Sequence, residues 1–165
     1  YYYLGAYKML TCSAFQQRND LGCLWKLLGD GCFLVTKLPP KYCFLTSFNI
    51  EGDKVVEANA TLNKDELFNL AATCYCKSLG FLEDNCLLWH DLAVCYLSHS
   101  SSTKDRAVYE QLINKSQIIT QYCTSKNPTN WQHWNLLGNI AMSLGTYKQT
   151  KIENMISIIC TFRST

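Results

Sequence analysis

A few groups of side chains in this 165-residue chain could do chemistry if folding brought them together. Cys95 and His99 lie four residues apart, one helical turn, and His90 is close by in sequence. A structural zinc site needs four such ligands, usually supplied by close Cys-x₂₋₄-Cys pairs. Cys74-x-Cys76 is too tight for that pattern, and the chain has no Cys-x-x-Cys. Nucleophilic catalysis needs a Cys or Ser beside a His that a carboxylate orients. His90-Asp91 and His133 offer the parts, but neighbouring residues on a helix point about 100° apart and do not face each other. Gly29-Asp30-Gly31 lies inside a helical pattern, so close packing explains Gly29 better than a phosphate cradle does. The residues therefore specify no catalytic, cofactor-binding or metal-binding site, and the chain reads as a non-enzyme.

Composition narrows the class further. Hydrophobic residues reach 48% and charged residues only 17%, which is the balance of a globular chain. A net charge of +2 gives no footprint for nucleic acid. No apolar run approaches the ~18 residues of a membrane span. The chain opens at Tyr1 without an initiator methionine or a signal-peptide pattern, and we read it as a piece of a longer protein. Of its ten cysteines, Cys32, Cys74, Cys95 and Cys123 fall where a helical core is expected, so they are read as reduced core residues. The triplets Asn59-Ala-Thr61 and Asn114-Lys-Ser116 would suit a secreted protein, but triplets of this kind recur by chance. The expected compartment is the cytoplasm, with the nucleus second.

The elements that position these groups follow from a repeat. Trp25-x-x-Leu28-Gly29, Trp89-x-x-Leu92-Ala93-x-x-Tyr96 and Trp134-x-x-Leu137-Gly138 each match the first helix of a tetratricopeptide unit, a 34-residue helix–turn–helix. Pro128 stands six residues before Trp134, as the pattern asks. One period back from Trp89, Ala71, Tyr75 and Ser78 occupy the small, aromatic and small positions of a second helix. That helix should run from about Lys64 to Leu82, with Asn63 and Glu66 forming a capping box.

Two spacings exceed the period. Trp89 follows Trp25 by 64 residues, and the surplus falls between Lys37 and Asn63. Pro39-Pro40 should halt the first helix, and Gly52-Asp53 supplies a turn signal among Phe48, Ile50, Val55 and Val56. This predicts an insertion at about 38–63 that holds a short hairpin. Trp134 follows Trp89 by 45 residues, which a lengthened second helix accommodates. Its apolar face is Val108, Leu112, Ile119 and Cys123, and Ser102 with Asp105 marks a helix start. The first seventeen residues read as another second helix, and 149–165 as a divergent tail. The expected fold is all-α: one tetratricopeptide-like helix–turn–helix solenoid over 1–165, with one long inter-helix insertion. Its buried set is Trp25, Leu28, Ala71, Tyr75, Trp89, Leu92, Tyr96, Trp134 and Leu137.

Such arrays present surfaces that hold partners. Repeats that clamp a peptide's terminal carboxylate use Lys and Asn on their first helices. Asn135 and Asn139 suit that role, but the matching positions hold Lys26 with Asp30, and His90 with Val94. The set is broken, and solvated face residues are the expectation. A generic adaptor that binds peptide tails, of the co-chaperone type, is the alternative function.

A closer likeness exists. Cys23-Leu-Trp-Lys-Leu-Leu-Gly-Asp30 resembles a stretch of the large tetratricopeptide scaffold subunits of superkiller (Ski) complexes. The order of the later segments is also similar: an insertion, Glu66-Leu-Phe-Asn-Leu-Ala71, then Cys74-Tyr75, Leu88-Trp89, a long second helix and His133-Trp-Asn-Leu-Leu-Gly138. The likeness covers about residues 18–148 and departs at Lys148-Gln-Thr-Lys151. It implies a non-catalytic scaffold that needs no cofactor. The implied partners are a helicase subunit and a WD40 propeller subunit, and indirectly the exosome that performs 3′-to-5′ RNA decay.

Limited proteolysis of the chain is expected to cut first within 38–63, the interior stretch where two prolines and a turn break the helical register. First cuts within 66–82 would show the insertion to be misplaced.

Overall fold

The computed structural model describes residues 21–39, 46–51 and 54–145. Helix α1 spans Gly22–Val35, strands β1 and β2 span Thr46–Glu51 and Lys54–Thr61, and helix α2 spans Lys64–Phe81. Then come α3 at Cys86–Ser102, α4 at Arg106–Lys126, and α5, helical throughout 131–145. Helices α1 and α2 pack as one antiparallel pair, α3 and α4 as the next, and α2 also packs on α3. This is the helical array that the repeat spacing predicts. The helix expected in the first seventeen residues and the tail at 149–165 lie outside the described residues.

Side-chain caps start most of these helices. Asn63 accepts from Glu66 N at 2.9 Å while its own N–H donates to Glu66 Oε2 at 2.7 Å, so the predicted capping box forms. Asn85 caps α3, and Asn130 accepts from Gln132 N at 3.0 Å at the start of α5. One expectation needs correcting. Ser102 does not start α4; it ends α3, and Asp105 caps α4 by accepting from Ala107 N and Val108 N. A carboxylate is the stronger acceptor for exposed N–H groups at the positive end of a helix.

Helix α1 ends before the prolines. Thr36, Lys37 and Leu38 donate three residues back at 3.0–3.2 Å, a tightened last turn that exhausts the helix by Val35. The insertion between α1 and α2 carries the expected hairpin. Its strands pair antiparallel from Glu51↔Lys54 through Phe48↔Glu57, and an irregularity separates that ladder from Thr46↔Thr61.

The main core joins Trp25, Leu28 and Cys32 of α1 to Phe68, Ala71, Tyr75 and Leu79 of α2 and to Leu88, Leu92 and Cys95 of α3. A second core joins Ala93, Ile113, Leu136 and Ile140. Trp25, Leu28, Ala71, Tyr75 and Leu92 are buried as expected, whereas Trp89, Tyr96 and Leu137 are half-buried. Trp134 is a correction: it is 53% exposed. Helix α5 turns His133, Leu136 and Ile140 toward the preceding pair, and that leaves Trp134 on another side. The equivalent Trp25 is covered by α2, its partner within the pair.

Gly29 marks a close helix approach. A Cβ there would sit 2.9 Å from two Tyr75 ring carbons and 3.3 Å from the Ala71 carbonyl oxygen. At Gly31, two positions along the same helix, nothing lies within 4 Å. Gly29→Ala should therefore destabilise the chain by about 1–3 kcal/mol through overpacking, before the helix-propensity gain. Gly31→Ala should stabilise it by up to about 1 kcal/mol. Urea unfolding followed by circular dichroism checks the pair, and equal effects at both positions would refute the close approach.

Candidate functional site

The candidate metal and catalytic residues are drawn into different bonds. Cys95 is wholly buried and donates its thiol to the Phe68 carbonyl at 3.7 Å. Burial pushes that thiol up to about 12, and does the same to Cys32. His99 is buried as well, stacks on the Phe68 ring at 4.9 Å and lies 3.4 Å from Asp65. Burial lowers its pKa, and Asp65 offsets part of that effect. Cys74 is buried while Cys76 is exposed. Among the described residues no three His, Cys, Asp or Glu side chains converge to hold a metal. Cys32, Cys74, Cys95 and Cys123 are all buried free thiols, as the sequence predicts. Ser116 is also buried, with Oγ donating to Ala93 O at 2.8 Å, so the Asn114 triplet lies within a packed helix.

Asp91 does not orient His90. Its Oδ2 is 3.1 Å from Lys26 Nζ, which also meets Asp30 Oδ2 at 2.8 Å. Asp30 Oδ1 in turn accepts from the Tyr75 hydroxyl at 2.9 Å. One network thus links α1, α2 and α3. Burial lowers the Lys26 pKa, but the two carboxylates outweigh it and hold the ammonium above its ordinary value. Burial first, and Asp30 second, raise the Tyr75 hydroxyl far out of its ordinary range. A cleft of about 230 Å³ opens beside this network, between Phe33, Leu34 and Val94.

His90 instead meets His133 of α5, with their Nδ1 atoms 3.1 Å apart and the rings tilted by 52°. Lys37 Nζ donates to Ser98 Oγ at 3.1 Å, a further bond from the end of α1 to α3. This corrects the expectation that Lys26, Asp30 and His90 are simply solvated face residues. They bond one first helix to the next. Asn135 and Asn139 are exposed on α5. Sequence reasoning missed the histidine contact, although the repeat held a signal for it. His90 follows one repeat tryptophan and His133 precedes the next, which are neighbouring places on consecutive first helices.

The tryptophans share a bond as well. Trp89 Nε1 donates to Glu83 O and Trp134 Nε1 to Pro128 O, each at 2.8 Å and each six residues back. The accepting carbonyl stands at the same offset in both repeats, on Glu83 in one and on Pro128 in the other. It ties α3 and α5 to the turns that precede them.

No protein-family model matches the chain. Among known proteins it is 30% identical over 137 residues to superkiller complex protein 3 of Mus musculus. It is 33% identical over 142 residues to tetratricopeptide repeat protein 37 of Xenopus laevis. With superkiller complex protein 3 of Homo sapiens the identity is 28% over 145 residues. The alignments cover 80–85% of this chain and only 9% of each relative, so the chain spans about a tenth of their length.

Lys26→Met should destabilise the chain by about 1 kcal/mol, the upper range for exposed ion pairs, because it leaves Asp30 and Asp91 facing each other. The difference from the parent chain should shrink in about 1 M salt, where screening acts over about 3 Å. Urea titrations at low and high salt measure it, and an unchanged midpoint at low salt would rule out the network.

Proposed function

This chain is homologous over about four-fifths of its length to a segment of superkiller complex protein 3, and from that relationship we propose that it is part of a non-catalytic tetratricopeptide scaffold that helps build a superkiller complex. Under this reading the parent protein holds a helicase subunit and a WD40 propeller subunit together. The assembly then feeds RNA to the exosome for 3′-to-5′ decay in the cytoplasm.

One observation favours a scaffold over a peptide clamp. The polar side chains of the first helices bond neighbouring helices to each other, Lys26 to Asp91 and His90 to His133. A carboxylate clamp needs those positions to point unengaged at a ligand. Bonds that run from helix to helix stiffen the array and leave recognition to its outer surfaces and to the insertion. The homology to relatives named for tetratricopeptide repeats and for the superkiller complex agrees with this.

Tagging the full-length parent in cells should recover a helicase and a propeller protein in near-equal amounts, with a cytoplasmic signal from the tag. Recovery of chaperones alone would replace this reading with the adaptor. ATP hydrolysis or RNA degradation by the purified, partner-free parent would overturn the non-catalytic assignment.

A further inference from the structure

Two histidines from different helices, one of them fully buried, share a bond whose proton is set by a third residue. Asn130 Oδ1 accepts from the backbone N–H of Gln132 at 3.0 Å and so caps α5. That bond settles which way the amide faces. Its NH₂ group must then be the part that lies 3.2 Å from His133 Nε2. His133 Nε2 is therefore the acceptor, and its ring carries the proton on Nδ1. The Nδ1–H donates across 3.1 Å to His90 Nδ1. Each of these three contacts then pairs one donor with one acceptor, and both rings are neutral.

One additional proton breaks this arrangement wherever it goes. On His133 it must sit on Nε2 and then faces the Asn130 NH₂ group, donor against donor. On His90 it sits on Nδ1 and faces the Nδ1–H of His133. The contact between the rings survives only if His133 moves its own proton to Nε2, which returns the conflict to Asn130. To accept that proton Asn130 must flip its amide and give up the cap of α5. We propose that His90, His133 and Asn130 form a proton-sensitive latch that fastens the start of α5 to α3 and opens on acidification.

Among the described residues the surrounding charges are few. Burial lowers the pKa of His90 most, His133 lowers it further, and Asp91 opposes both. Lys26 of α1 binds that same Asp91, which divides its pull. Burial alone lowers His133. Helix α5 and the 127–130 turn contain no charged residue, and α4 contributes no charge to either shift. Both rings hold protons less tightly folded than unfolded, so the latch contributes fully above the ordinary value of 6.5 and is lost as pH falls through the lower folded values. The histidine bond reaches α5 directly, and the second core behind it, Leu136 and Ile140 on Ala93 and Ile113, would be loosened at its edge.

Hydrogen exchange on the full 165-residue chain tests this, with α2 amides as the internal reference for intrinsic rates. Between pH 7.5 and 5.0 the 131–136 amides should lose about tenfold or more of their protection relative to α2. Asn130→Asp keeps a capping acceptor and adds a carboxylate that welcomes a proton on His133 Nε2, so it should abolish or reverse that loss. Side-chain nitrogen spectra of the parent chain at pH 7.5 should show His133 protonated on Nδ1 and bare on Nε2. The latch is overturned if α5 protection is independent of pH, if Asn130→Asp loosens with acid like the parent, or if His133 carries its proton on Nε2. Should that variant fail to fold, the nitrogen spectrum alone decides, since the opposite tautomer removes the mechanism.

Discussion

Tyr75 packs its ring against Gly29, and much of the arrangement depends on that contact. Because position 29 has no Cβ, α1 can approach until the tyrosine ring fills the gap. The ring then delivers its hydroxyl to Asp30, which holds Lys26 in place to reach Asp91 on the next pair. A steric permission at one glycine thus becomes an electrostatic link between repeats. The buried tyrosine supplies the apolar area, and its hydroxyl finds the partner that burial demands.

The apolar and polar parts of the array divide the work. Within each pair, large side chains bury against each other; Trp25, Leu28 and Phe68 lie at or below 2% exposure. Between first helices, much of the contact is polar: Lys26 with Asp91, Lys37 with Ser98, His90 with His133. Repeat arrays gain stability from such neighbour terms as well as from each unit. The directional bonds also fix how one helix is rotated against the next, which apolar contacts specify less sharply. The free thiols take no part in this. The buried ones, Cys32, Cys74, Cys95 and Cys123, pack as small hydrophobes and stay protonated, with Cys32 and Cys95 pushed up to about 12.

The insertion sits inside a helix pair and not between pairs. Helices α1 and α2 nonetheless pack as closely as an uninterrupted unit would, with Ser78 Oγ donating to Gly22 O at 2.6 Å at the far end. Loop-closure entropy rises slowly with length, so a long excursion is tolerated when the two helices already match. The hairpin gives the excursion backbone bonds of its own. It adds a surface that a regular repeat lacks, beside an array in which Lys26, Asp30 and His90 are already engaged.

Much of this was legible in the chain alone because tetratricopeptide packing is periodic and local. Trp25, Ala71 and Tyr75 could be placed by counting, Asn63 with Glu66 by capping chemistry, and the insertion by its prolines and turn. The same reading placed four cysteines in the core. The errors share a different cause. Asp105 displaced Ser102 because two acceptors compete at a helix start and only the folded turn decides between them. Trp134 is exposed because burial depends on a partner helix and not on the motif itself. His90 and His133, and likewise Lys26 and Asp91, meet because consecutive first helices stack at one particular rotation. The sequence determined which residues line each helix; the stacking angle, which arises only when whole helices pack, decided which of them touch.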